Sequence, residues 1–191
     1  MDDNPLYRDS VLSPQDIAYA KAAIGDVLMD RFRDDPDREY AKRIFSLFLA
    51  NRNLIIKERG LEGLFSLAQT TQEQIEVMMD GITQGKQHQS ITQMICDFIR
   101  EKGYSDPEPF IAYLKKRFDY LSMQTTVPAQ DTPFHKLLRE ERDESTYEHH
   151  VLELASFLDI IQSNKPDLMK GIRAKMPESR IPQIDAVLKV A

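Results

Sequence analysis

The amino-acid sequence predicts an all-α protein, a multi-helix bundle or helical-hairpin array of about eight to ten helices. Apolar residues recur at helical spacing from end to end, and most of these stripes open on Ser, Thr or Asp followed by Pro or an acid. Strand signals are weak: the β-branched run Thr125-Thr126-Val127 stops at Pro128, and Asp80-Gly81 lies inside a helical pattern instead of joining alternating segments.

The first helix begins at Ser13-Pro14-Gln15-Asp16, where Ser caps free amides, Pro takes the first helical position and Asp completes a variant capping box. Its expected buried stripe is Ile17, Ala20, Ile24, Val27, Leu28 and Phe32. Asp34-Asp35-Pro36-Asp37 ends it and caps the next. A second helix, over about 36–59 and stopped by Gly60, carries apolar residues around most of its circumference, among them Phe45, Phe48, Leu49 and Ile56. It is expected to be the central buried helix. A short element over Leu61–Ala68 follows, then a helix opened by Thr70-Thr71-Gln72-Glu73 and ended near Thr83–Gly85, and another from Ser90 to Lys102 before Gly103. Asp106-Pro107-Glu108-Pro109 opens the next, with Phe110, Ile111, Leu114, Phe118 and Leu121 as its stripe.

Residues 124–133 lack periodicity and contain Pro128, so they are the expected linker between a main helical domain, 1–123, and a C-terminal helical subdomain, 134–191, docked on it. Within the latter, a short helix over Phe134–Glu141, one from Thr146 to Ser163 capped at Ser145, and helices starting near Pro166 and Ser179 are expected.

At 191 residues the chain can bury a sizeable core without metals or disulfides. Its single cysteine, Cys96, flanks a helical stripe and reads as a half-buried inert thiol. The net charge is -6, and the first 39 residues hold ten acids against five Lys and Arg. The compact basic run Lys115-Lys116-Arg117 has Asp119 beside it and reads as a solvated face, so nucleic acid is not an expected partner. The apolar run Ile44–Ala50 is far short of the roughly 20 residues of a membrane span. Together with an acidic amino terminus unlike a signal peptide, this points to a cytoplasmic protein without membrane insertion.

No constellation demands a particular chemistry. Neither a nucleophile elbow nor a phosphate-cradling glycine loop is present, so catalytic residues and cofactors are not expected. The weak metal candidates are His149 and Glu153, which share a helix face at i, i+4 but lack the repeats of di-iron bundles or zinc proteases. The stretches Glu62–Leu67 and Val77–Ile82 resemble a pattern in cytoplasmic helices of bacterial flagellar stator proteins of the proton-channel type. The membrane helices and channel residues that define that family have no counterpart in this sequence, so the resemblance implies nothing about ion conduction.

The reading that remains is an adaptor or regulatory protein acting through contacts with another protein, with a homodimer as one arrangement it allows. The expected contact region is Met169, Ile172, Met176, Ile181, Ile184 and Leu188, on short proline-interrupted helices; completion of the core is the competing role for each. The alternative is a helical enzyme or a small-ligand or metal-binding protein. Its pocket would lie between the two helical parts, around Tyr113, Phe118, His135, Tyr147, His149 and His150.

Overall fold

A computed structural model describes residues 13–32, 38–85, 88–125, 133–176 and 182–189, and every regular element among them is a helix. In chain order these are α1 (Pro14–Phe32), α2 (Arg38–Leu49), α3 (Leu54–Leu67), α4 (Thr71–Gly85), α5 (Gln89–Glu101), α6 (Glu108–Thr125), α7 (Pro133–Asn164), α8 (Pro166–Lys175) and α9 (Pro182–Lys189). Among the described residues no helix is long and apolar enough to cross a membrane. The chain divides into two compact units, Met1–Ala68 and Gln69–Ala191. α6 and α7, on either side of the expected linker 124–133, pack within the second of these units. Residues 126–132 of that linker, and the Asp34–Asp37 punctuation, lie outside the described residues.

In the first unit α1, α2 and α3 all pack on one another. The capping box at α1 is present: Asp16 N–H donates to Ser13 Oγ at 3.1 Å, and Ser13 N–H donates to Asp16 Oδ2 at 2.9 Å. These bonds, the Ser13 hydroxyl's first, hold the Asp16 carboxyl below its usual pKa.

The single helix expected over 36–59 is instead two. The chain breaks at Ala50–Asn53, where Asn53 Oδ1 accepts from the amides of Ile55 (3.0 Å) and Ile56 (3.4 Å) and so caps α3. At the other side of the break, the buried Lys57 reaches back eight residues to donate to the Leu49 carbonyl, 2.8 Å away, satisfying the end of α2. Gly60, expected to stop a helix, lies inside α3 where α2 crosses it. Phe45 and Leu49 of α2 and Leu61, Leu64 and Phe65 of α3 are all almost fully closed to solvent, and Phe45 and Leu49 lie against Gly63 and Gly60 where α2 packs on α3.

The second unit is built around α7, which touches α4, α5, α6, α8 and α9. Phe157 and Ile161 on its carboxy-terminal half are fully buried, and Phe157 stacks on Phe110 of α6 with centroids 6.3 Å apart. Tyr104 meets the edge of Phe110 and donates its hydroxyl to Gln74 of α4 at 2.7 Å. The two helices expected over 134–141 and 146–163 form one continuous helix. Ser145 and Thr146 suit a helix start, but no Gly or Pro lies between Phe134 and Asn164, so nothing in the backbone chemistry enforces an interruption.

Candidate functional site

The α1 stripe is turned away from the position expected for it. Its buried residues are Ala18, Ala22, Gly25 and Met29, while Ile17, Ile24 and Val27 are 41%, 55% and 64% exposed. At about 100° per residue the buried set and the exposed set lie on nearly opposite sides of the helix. The small residues win the inner face because they let α1 approach α3 closely: a Cβ on Gly25 would stand 2.6 Å from Cγ of Arg59, whose guanidinium pairs with Asp26 of α1 at 3.0 Å. On α2, Tyr40 and Leu47 share a face and are 61% and 72% exposed, with Ile44 half-buried between them. Two of the three helices of this unit thus present large apolar side chains to solvent.

The carboxy-terminal residues expected to form a contact region are placed otherwise. Met169, Ile172 and Ile184 are fully buried in the second unit, where α8 packs on α6 and α7 and α9 packs on α7. In the folded unit they serve the core. Met176 and Leu188 are half-buried, and Ile181 lies outside the described residues.

A polar cleft occupies the junction of α4, α6 and α7 within the second unit. Glu76 and Asp80 stand one turn apart on α4, as Tyr113 and Arg117 do on α6; with Lys116 they line an outer groove of about 330 Å³. Asp80 and Arg117 also border an inner pocket of about 130 Å³, whose floor is Met79, Leu121 and Leu154 and whose remaining polar groups are Thr83, His150 and Glu153.

Glu153 is 2% exposed. His150 Nδ1 lies 3.3 Å from its Oε2 and His149 Nε2 3.0 Å from its Oε1, the latter without the alignment of a hydrogen bond. Arg117 donates its Nε–H to the Tyr113 hydroxyl at 2.9 Å, and its guanidinium carbon lies 5.4 Å from the centroid of the Tyr113 ring. Burial alone would lower the pKa of this guanidinium, but the Tyr113 bond and the charges of Tyr113, Asp80 and Glu153 turn the shift upward. Burial likewise raises the Tyr113 phenol. Asp80 keeps an exposed surface, yet protein crowds one side of it; that desolvation raises its carboxyl, opposed by Arg117 and assisted by Glu76.

Several residues expected around a pocket are therefore brought together: Tyr113 and His150 line this cleft, and Glu153, considered for a metal, lies at its base. Phe118 is buried in the core, while His135 and Tyr147 lie outside the residues whose side chains are described. Arg117, expected on a solvated basic face, and Asp80 and Thr83, to which the sequence assigns no site role, also line the cleft. The i, i+4 pairs Glu76/Asp80 and Tyr113/Arg117 were visible as shared faces, but no sequence signal places those faces opposite each other. Among the described residues no group of three or more His, Cys, Asp or Glu side chains has the arrangement to hold a metal ion. Cys96 is half-buried.

The fold and cleft define an all-α protein with two packed helical units. No protein-family model, curated protein or solved structure matches the chain.

Proposed function

We propose that this protein acts as an adaptor or regulatory protein in the cytoplasm, binding another protein through the apolar surface of its first helical unit. The observation that carries the reading is the reversal of α1: Ile17, Ile24 and Val27 face solvent although smaller side chains of the same helix fill the core. A side chain of this kind gains roughly 1.5–3 kcal/mol when fully buried, so even partial covering of three of them would supply an interface with an anchor cluster. Tyr40 and Leu47 on α2 add an aromatic and an aliphatic contact of the type found at such surfaces.

The test is a double substitution, Ile24→Asp with Val27→Asp, in the tagged full chain, compared with the unaltered protein by quantitative affinity capture from the source cell and by sedimentation velocity. Both positions are already exposed, so the helical circular-dichroism melt should be unchanged. A stoichiometric partner, or a second copy of the chain, should bind the unaltered protein and be lost at least about tenfold from the variant, which corresponds to about 1.4 kcal/mol. Capture that is indifferent to both substitutions, or a monomer with no stoichiometric partner, would refute the assignment.

A further inference from the structure

We propose that the outer groove and the inner pocket between α4, α6 and α7 together bind a free amino acid with an apolar side chain, its ammonium on the α4 wall and its carboxylate on the α6 wall.

The groove is bipolar. Glu76 and Asp80 stand on α4 and Lys116 and Arg117 on α6, so the charges of the two walls cancel. Among the described residues neither Asp80 nor Lys116 makes a hydrogen bond or ion pair, and the one hydrogen bond of Glu76 runs along its own helix from Gln72, at 3.1 Å. Asp80 and Arg117 each feel the charge of the other, yet they do not touch. Opposite charges held apart across a gap are bridged by a molecule that carries both complements. Arg117 commits its Nε–H to Tyr113, which leaves the two Nη groups, an edge that matches the two oxygens of a carboxylate. Protein crowding strips part of the water from Asp80 and Arg117, so a ligand meets them at less cost than it would meet fully solvated charges.

The remaining charges of the cleft do not alter the choice. The buried Glu153 is already paired, with His149 at 3.0 Å and His150 at 3.3 Å. A zwitterion has no net charge, so its selection holds whichever of these histidines carries a proton. The competing classes each meet one wall badly. An anion without an ammonium faces Glu76 and Asp80, and a cation without a carboxylate faces Lys116 and Arg117. A neutral apolar molecule would displace water from all four and return no hydrogen bond.

Asp80 and Arg117 border both cavities, so the α-carbon of a ligand held between them sits at the mouth of the inner pocket. Met79, Leu121 and Leu154 supply an apolar floor for its side chain. The inner volume of about 130 Å³ sets the size; cavities of roughly 150 Å³ hold six-carbon ligands, and the four-carbon side chain of leucine is smaller.

The experiment is a titration of the full chain, by calorimetry and by proton–nitrogen NMR, with L-leucine, N-acetyl-L-leucine, L-leucinamide and glycine. A pH of about 6.5 keeps the α-amines protonated. Leucine should bind saturably, in the millimolar range or tighter for so few atoms, and shift amides of α4, α6 and α7. N-acetylleucine lacks the ammonium, leucinamide the carboxylate and glycine the side chain, so all three should bind at least about tenfold more weakly. Asp80→Asn should weaken leucine by about tenfold and remove its advantage over N-acetylleucine, whereas Lys116→Met should reduce its advantage over leucinamide. Both positions are exposed, so neither substitution should disturb folding. Absence of saturable leucine binding, equal binding of any of the three analogues, or an advantage over N-acetylleucine that survives Asp80→Asn would overturn the proposal. None of these results bears on the surface of the first unit.

Discussion

Gly60 offers the sharpest test of how the first unit is packed. A Cβ added there would lie 2.8 Å from both the Phe45 carbonyl oxygen and Leu49 Cα, and nearer still to the Leu49 amide nitrogen. These are backbone atoms of α2, unable to swing aside as a side-chain end would. Ordinary contact between carbons needs about 3.5–4.0 Å, so Gly60→Ala obliges α2 and α3 to separate by roughly 0.7–1.2 Å. A gap of about that width forfeits a quarter to a half of the dispersion attraction between facing atoms, here those of Phe45 and Leu49 against the Gly60 and Gly63 face of α3.

Overpacking of this kind costs about 1–3 kcal/mol. Since the collision is with backbone, the upper half of that range applies. Alanine returns about 1 kcal/mol through its better helix propensity, leaving a net loss of about 1–2 kcal/mol. That is a melting temperature lower by about 4–16 °C for a unit of this size. Hydrogen exchange of α2 and α3 peptides, measured by mass spectrometry on the full chain, should accelerate about 5–30-fold. Ser66→Ala, on the exposed side of α3, is the control and should show no such loss. A Gly60→Ala protein as protected as the unaltered one, or more so, would mean that the two helices do not approach this closely.

Two further outcomes follow from the same unit. Asn53→Ala removes the acceptor for the Ile55 and Ile56 amides and should destabilise α3 by about 1 kcal/mol, read as faster exchange confined to its first turn; unchanged protection there would refute the cap. Lys57 is only 5% exposed, beneath a thin layer of protein, and burial lowers its pKa from the usual 10.5. Between the folded pKa and 10.5 the unfolded chain holds a proton that the folded chain has released, so stability should rise as pH climbs through that window. Urea unfolding across that alkaline range should show the rise in the unaltered protein and not in Lys57→Met.

Local chemistry reads well from the sequence where the partners are neighbours in the chain. The Ser13–Asp16 box, the start of α4 at Thr70–Thr71 and the end of α5 before Gly103 were all legible, because caps act over three or four residues. Asn51-Arg52-Asn53 was equally local but was hidden by the apolar run on either side, which looked like one long stripe. For α7 the error was the reverse: cap-forming residues at Ser145 and Thr146 suggested a start that the continuous helix ignores.

The α1 face is a different kind of miss. Ile17, Ile24 and Val27 make the more hydrophobic side, but Ala18, Ala22 and Gly25 make the closer-fitting one, and only the presence of Arg59 and Phe45 opposite decides between them. The cleft follows the same rule. Each helix displays its own polar pair, and that Glu153 lies at the base of a pocket bordered by Asp80 and Arg117 depends on how three helices cross.

Sequence alone thus determined the helical class and most of the helix boundaries, since propensity and capping are properties of a few adjacent residues. Tertiary structure decided which face of each helix is buried, where the chain divides into units and which charges share a cleft. Those outcomes rest on contacts between residues distant in the chain, whose shape and spacing no periodicity encodes.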